Sequence, residues 1–193
     1  MKKRRKFTET VVTESDKQAV LSKSSLCRGM DKSDMQLLSP FFQCYSVEEG
    51  SSIYEEGDVE AFLCLIVSGE INIIKGDGKL ISTLSAGGTV GEMTIIDDLP
   101  RSANAIALTE ATVFAITRSS LNEIFTKSLH TWSNLMFNIS INLSLRLRQT
   151  TELLSQYMTS ADSSSLGASS SYPQSHPFMK KVSGSHSPQD VTP

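Results

Sequence analysis

One segment of this 193-residue chain gathers residue types suited to holding an anion: Val90-Gly91-Glu92-Met93-Thr94-Ile95-Ile96-Asp97-Asp98-Leu99-Pro100-Arg101-Ser102-Ala103. Gly91 lets the backbone approach a ligand closely. Glu92 through Ile96 can form one helical turn whose first N–H groups point outward with the positive end of the peptide dipoles. Arg101 adds a forked guanidinium able to meet two oxygens of one phosphate, and Ser102 supplies a hydroxyl beside it. Glu92 would repel a bare phosphate, so its presence makes sense for a ligand that also offers a nearby hydroxyl donor, as a ribose does. The plainer alternative pairs Arg101 with Asp97 or Asp98 on the surface, an arrangement worth ~0–1 kcal/mol. Gly91, Glu92 and Ser102 standing in register with Arg101 count against it.

Other chemistries find no residues to carry them. There is no HExxH, GxSxG, Walker loop or GxGxxG, and His130, His176 and His186 fall in a helical stretch and a Ser-rich tail, so no catalytic residue, enzyme activity, metal site or cofactor is expected. Cys27, Cys44 and Cys64 form no CxxC pair, which fits a reduced, cytoplasmic setting. The apolar run Phe62–Val67 is far below the ~20 residues of a membrane span. The start, Met1 to Lys6, leads into polar Thr8, Glu9 and Thr10 rather than an apolar signal core. From Pro40 to Phe125 the chain holds thirteen carboxylates against Lys75, Lys79, Arg101 and Arg118, the opposite of a nucleic-acid-binding face, so direct nucleic-acid binding is not expected.

The elements that must position the segment follow from periodicity. Residues 1–20 are polar and aperiodic and 159–193 are rich in Ser, Pro, Gly and His, so both ends are expected to be disordered around a folded unit at 21–158. The basic run Lys2 to Lys6 reads as a solvated terminus, ahead of an anionic-surface contact or a nuclear signal. Asp31 and Asp34 form a capping box for a short helix that Pro40 ends. Strand-like stretches then follow at Cys44–Val47, Ser52–Tyr54, Phe62–Val67, Ile71–Lys75, Leu80–Leu84, Ala103–Leu108 and Thr112–Ile116, with Gly76-Asp77-Gly78 as a tight hairpin. Many short strands at this spacing make a sandwich or barrel. A short helix begins at Arg118 and a long amphipathic one spans about Leu129 to Tyr157, its apolar residues recurring at three- and four-residue steps from Trp132 to Leu154.

At these positions the sequence resembles the cyclic nucleotide-binding domain family, whose phosphate-binding cassette reads Gly-Glu, a short helix, then often Pro-Arg-Ser/Thr/Ala-Ala. Gly50 to Asp58 is similar to the family's G-x-x-I-x-x-x-G-D element, and Phe62 to Ile71 to its apolar strand closed by a glycine turn; the likeness runs from about Asp31 to Tyr157. The resemblance implies a mainly β fold, a β-roll or jelly-roll barrel with flanking helices and a long C-terminal helix. It implies Glu92 accepting from the ribose 2′-hydroxyl, Arg101 neutralising the cyclic phosphate, N–H groups around Gly91, Glu92, Met93 and Ala103 closing the cage, and Ser102 touching phosphate or base. It also implies a lid on the long helix, for which Asn138, Asn142 and Arg146 are the candidates. The expected role is a regulatory module that binds a cyclic mononucleotide, cAMP in preference to cGMP, rearranges its helices and acts on a separate protein partner. A homodimer through the long helix is expected as well. Two readings compete: a protein-interaction module that keeps the fold and binds no nucleotide, and a dimeric transcription regulator working through Lys2 to Arg5.

Overall fold

The computed structural model describes residues 7–165, and the basic run Lys2–Lys6 and the chain after Ser165 lie outside the described residues. Two units are distinguished, one ending at Gln149 and one beginning at Thr150. Among the described residues the first contains nine strands in two antiparallel sheets. Strands β1 (Phe7–Glu9), β2 (Gln43–Val47), β4 (Phe62–Ser68), β7 (Thr89–Val90) and β9 (Ala111–Thr117) form one, in the order β1-β2-β9-β4-β7. Strands β3 (Ser52–Tyr54), β5 (Glu70–Ile74), β6 (Leu80–Ser85) and β8 (Asn104–Ala107) form the other, in the order β3-β8-β5-β6. This is the sheet-rich jelly roll with flanking helices and a long C-terminal helix that the resemblance implies.

Strand β4 is apolar along its length because both of its faces are covered. Leu63 and Leu65 join Cys44, Phe114 and Ile116 in a cluster beneath the helices, while Cys64 and Ile66 join Val47, Ile53, Ile71, Val113 and Ala105 between the sheets. The helices on the first cluster are α1 (Glu14–Leu21), α2 (Lys32–Leu38), α4 (Arg118–Lys127) and the start of α5 (Leu129–Ser165), contributing Leu21, Leu38, Ile124, Leu135 and Ile139. The capping box at α2 is present as expected. Asp34 of that box is buried and its Oδ1 accepts from Thr131 Oγ1 at 2.6 Å, tying α2 to α5. The Gly76-Asp77-Gly78 turn joins β5 to β6, with Lys75 N–H donating to Lys79 O at 2.9 Å.

Three expectations are corrected. Residues 7–20 are not an irregular arm: Phe7–Glu9 pairs antiparallel with β2, Phe7 packing on Tyr45, and Glu14–Leu21 is a helix whose N-cap Thr13 accepts from Asp16 N–H. A three-residue strand is too short to show a period, and α1 is held chiefly by the buried Leu21, too little apolar surface for a stripe in sequence. β7 has only two residues and carried no signal either. The long helix continues through Ser165 instead of ending near 158, which is unsurprising because each residue added to an existing helix gains one further hydrogen bond. In the second unit the described part is this helix end, with Leu153, Leu154, Tyr157 and Met158 exposed.

Among the described residues no helix is long and apolar enough to cross a membrane. Cys27, Cys44 and Cys64 are all buried, and burial pushes the Cys27 thiol up to about 11 and the Cys64 thiol up to about 12. Thiolate is the reactive form. Native protein is therefore expected to leave all three unmodified by iodoacetamide at mildly alkaline pH, and denatured protein to take up the label on each, as mass spectrometry would read.

Candidate functional site

The segment at 90–103 folds as a strand end, a six-residue helix α3 (Glu92–Asp97) and a return loop into β8. Gly91 is the N-cap of α3 with φ +87°. A Cβ there would lie 2.5 Å from Arg101 Nη1 and 2.7 Å from Phe62 O. Glycine is required both for the left-handed backbone and for the close approach of the guanidinium. Gly91→Ala is expected to destabilise the fold by about 2 kcal/mol or more, since strain and a backbone clash add, and a lowered denaturant midpoint would show it.

Arg101 is 3% exposed. Nη1 donates to Gly91 O at 2.9 Å and Nη2 to Phe62 O at 2.7 Å, and Cζ stands 4.1 Å from the Tyr54 ring centroid and 4.4 Å from that of Phe62. Among the described residues no carboxylate forms an ion pair with it, and its buried Nε has no hydrogen-bond partner. Burial pushes the guanidinium below its ordinary value, against the opposing influence of Tyr54, Cys64, Asp58 and Glu60. Two of five N–H donors are used on main-chain oxygens, so the fork is held in place with donors to spare. The surface-pair alternative is resolved by a different residue, because Asp98 pairs with Arg118 at 2.6 Å.

Glu92 is 1% exposed and is held from two sides. Its Oε1 accepts from Thr89 Oγ1 and from Arg146 Nη2 at 2.9 Å, and its Oε2 accepts from Arg146 Nη1 at 3.2 Å. Arg146 Nη2 also donates to Thr89 O at 2.8 Å. Oε1 thus uses both lone pairs, while Oε2 keeps one for a further donor. Glu92, Arg146 and Arg101 line one cavity of about 170 Å³ together with Tyr54, Ile73 and Ile81, and Gly91, Met93, Ser102 and Ala103 complete its wall. Its charged groups sum to one positive charge at neutral pH, suited to a monoanion that carries an apolar ring and a hydroxyl.

All six residues of the cassette expectation, Gly91, Glu92, Met93, Arg101, Ser102 and Ala103, therefore meet around one cavity, and of the three lid candidates Arg146 joins them. Asn138 and Asn142 do not. Asn138 Nδ2 donates to Leu26 O at 2.9 Å and Arg28 O at 3.0 Å, and Asn142 Nδ2 to Ser25 Oγ at 2.9 Å, so both fasten α5 to the loop before α2. Their amides satisfy main-chain and hydroxyl groups there and are turned from the cavity. Sequence reasoning missed Tyr54 and Phe62, whose edge-to-face rings both pack on Arg101, and Thr89, which orients Glu92. An aromatic in an apolar strand looks the same whether it packs in a core or under a guanidinium.

Residues 45–128 match the family model described as the cyclic nucleotide-binding domain. A cGMP-dependent protein kinase of Plasmodium berghei is 29% identical over 135 residues, 70% of this chain and 15% of the kinase. A cyclic AMP receptor protein of Thermus thermophilus is 28% identical over 99 residues, 49% of this chain and 46% of that protein. The chain thus spans less than half the length of these relatives. Among solved structures, a cyclic nucleotide-binding domain from Methylobacillus flagellatus superposes with a TM-score of 0.71 at 23% identity, covering 78% of this chain and 89% of that one. The Thermus thermophilus catabolite activator protein superposes with a TM-score of 0.60 at 24% identity, covering 70% and 63%.

Proposed function

Residues 45–128 of this chain match the cyclic nucleotide-binding domain family, and from that premise we propose that the cavity takes one cyclic mononucleotide, cAMP in preference to cGMP, and performs no reaction on it. The observation that carries this reading is the buried Arg101 fork, packed in the corner formed by the Tyr54 and Phe62 rings, fixed by two carbonyls and matched by no carboxylate among the described residues. A singly charged cyclic phosphate neutralises it. Ser102 and the main-chain N–H groups of Gly91 to Met93 and of Ala103 add donors around the same phosphate. The free lone pair of Glu92 Oε2 receives the ribose hydroxyl, and Tyr54, Ile73 and Ile81 supply the apolar walls. Amide-resolved NMR tests the site: cAMP is expected to shift the resonances of Gly91, Glu92, Met93, Ser102 and Ala103, and shifts confined to other surfaces would refute it.

Occupancy is converted into movement of α4 and α5, which a separate protein partner reads. Arg146 is the link, since its guanidinium sits on Glu92 while its backbone belongs to α5. The same pairing favours a second reading, in which Arg146 fills the ribose position and the fold serves only as a protein-interaction module. The sign of one variant separates them: Arg146→Ala lowers cAMP affinity if Arg146 supports Glu92, and leaves a protein without nucleotide binding unchanged.

The partner through α5 includes a second copy of this chain. Leu135 and Ile139 are buried in the chain's own core and Leu143 packs against it, so the seam cannot be the whole stripe. Phe137 and Leu145 are 67% and 50% exposed. Apolar side chains left in water along a helix favour a partner helix. Sedimentation is expected to give a dimer that Leu145→Glu converts to a folded monomer; a wild-type monomer at tens of micromolar, with and without cAMP, would contradict it.

A further inference from the structure

The cassette helix α3 ends at Asp97, and the next residue, Asp98, is the non-glycine residue with positive φ among those described, at +60°. A six-residue helix leaves most of its carbonyls without an internal donor. Two of them are taken by one side chain from another element: Arg118 Nη2 donates to Thr94 O at 2.7 Å and to Ile95 O at 2.8 Å. Nη1 of the same residue pairs with Asp98 Oδ1 at 2.6 Å, holding the residue at the left-handed position. Asp98 is well exposed, so the charge attraction adds little, and the two carbonyl bonds with their fixed geometry matter more.

The far end of Arg118 is equally fixed. It is the first residue of α4, and its own N–H donates to Ala61 O at 3.0 Å. The neighbouring Phe62 O accepts from Arg101. Arg101 and Arg118 therefore hang the two ends of the cassette from one short stretch at the start of β4: Arg101 bonds Gly91 O at the leading end of α3, and Arg118 bonds its trailing carbonyls. Arg118 does not line the cavity.

We propose that Arg118 is a positioning residue for nucleotide binding, clamping the trailing end of α3 so that Gly91, Glu92 and Met93 hold their ligand geometry, and coupling α3 directly to α4. The proposal rests on the nucleotide-binding reading of the cavity. Loss of the clamp frees Thr94 O, Ile95 O and Asp98, and α3 frays from its trailing end toward the site.

The test uses the full chain with Arg118→Ala, Arg118→Lys and Asp98→Asn, reading cAMP affinity by calorimetry and amide hydrogen exchange without ligand. Arg118→Ala is expected to weaken cAMP about 10- to 100-fold, by analogy with the loss on removing a side chain that orients a metal ligand, and to speed exchange across 92–98 while β4 and β9 stay protected. Arg118→Lys, which reaches the carbonyls with a single ammonium, is expected to recover part of the affinity, and Asp98→Asn to lose less than Arg118→Ala. Unchanged affinity or unchanged exchange at 92–98 in Arg118→Ala overturns the proposal. If Arg118→Ala loses protection throughout β4 and β9, Arg118→Lys decides by the same two criteria. If the wild-type chain takes up no cAMP, the binding reading fails first, and faster exchange confined to 92–98 still establishes the clamp while its absence removes it.

Discussion

Arg101→Ala is expected to weaken cAMP binding by about 30-fold to several thousandfold, because truncating one partner of a desolvated charge pair costs ~2–5 kcal/mol. The structure gives the reason for so large an effect. Arg101 is buried, its guanidinium packs against two mutually tilted rings, and two carbonyls hold its fork, so its orientation is established before ligand arrives. Little side-chain ordering remains to be done on binding. Replacement by lysine retains charge but loses the fork, and is expected to fall between the wild type and Arg101→Ala. The substitution also leaves Gly91 O and Phe62 O without their donor and opens space beside Tyr54, so a lower thermal midpoint accompanies the binding loss. Circular dichroism of Arg101→Ala checks that the two sheets persist, and calorimetry checks the affinity. Wild-type affinity in this variant would place the ligand elsewhere.

Glu92→Ala should strongly weaken cAMP with little effect on the affinity for 2′-deoxy-cAMP, since the deoxy ligand never made the bond that is lost. The size follows from the environment. A hydrogen bond to a charged group contributes ~1.5–3 kcal/mol net, so roughly a 10- to 150-fold loss is expected. The same change leaves Thr89 Oγ1 and the Arg146 fork without their acceptor, and Glu92→Gln keeps the shape of the site while removing the charge that pairs with Arg146. Comparing the two variants on both ligands separates loss of the hydroxyl acceptor from loss of the latch on α5. If 2′-deoxy-cAMP suffers as much as cAMP in both, Glu92 acts by supporting the cavity and not by receiving the hydroxyl.

Those residues were legible before the fold because their chemistry is concentrated in fourteen consecutive positions, where a glycine, a carboxylate, an arginine and a hydroxyl have no shared structural role in a strand or a turn. The strands were legible for the same local reason, β4 through its continuous apolar run and the β5–β6 hairpin through Gly76-Asp77-Gly78. What the sequence withheld is long-range. Asn138, Asn142 and Arg146 are equally polar residues on one helix, and only the packing of α5 assigns the asparagines to the loop at 25–28 and the arginine to Glu92. Arg118 stood out as one of few cations in an acidic stretch, yet nothing local to it points to carbonyls 23 and 24 residues earlier. Helix α1 and strand β1 escaped because each buries too little surface of its own to impose a period, and each is ordered by the sheet or core it joins.

The central claim is that the cavity between Arg101 and Glu92 receives a cyclic mononucleotide. Calorimetric titration of the full chain with cAMP, cGMP and a cyclic dinucleotide addresses it most directly. One site per chain, saturable binding of cAMP, weaker binding of cGMP and no heat from the dinucleotide are the expected results. Absence of binding by both mononucleotides, with the chain folded, would contradict the account and leave the protein-interaction reading in its place.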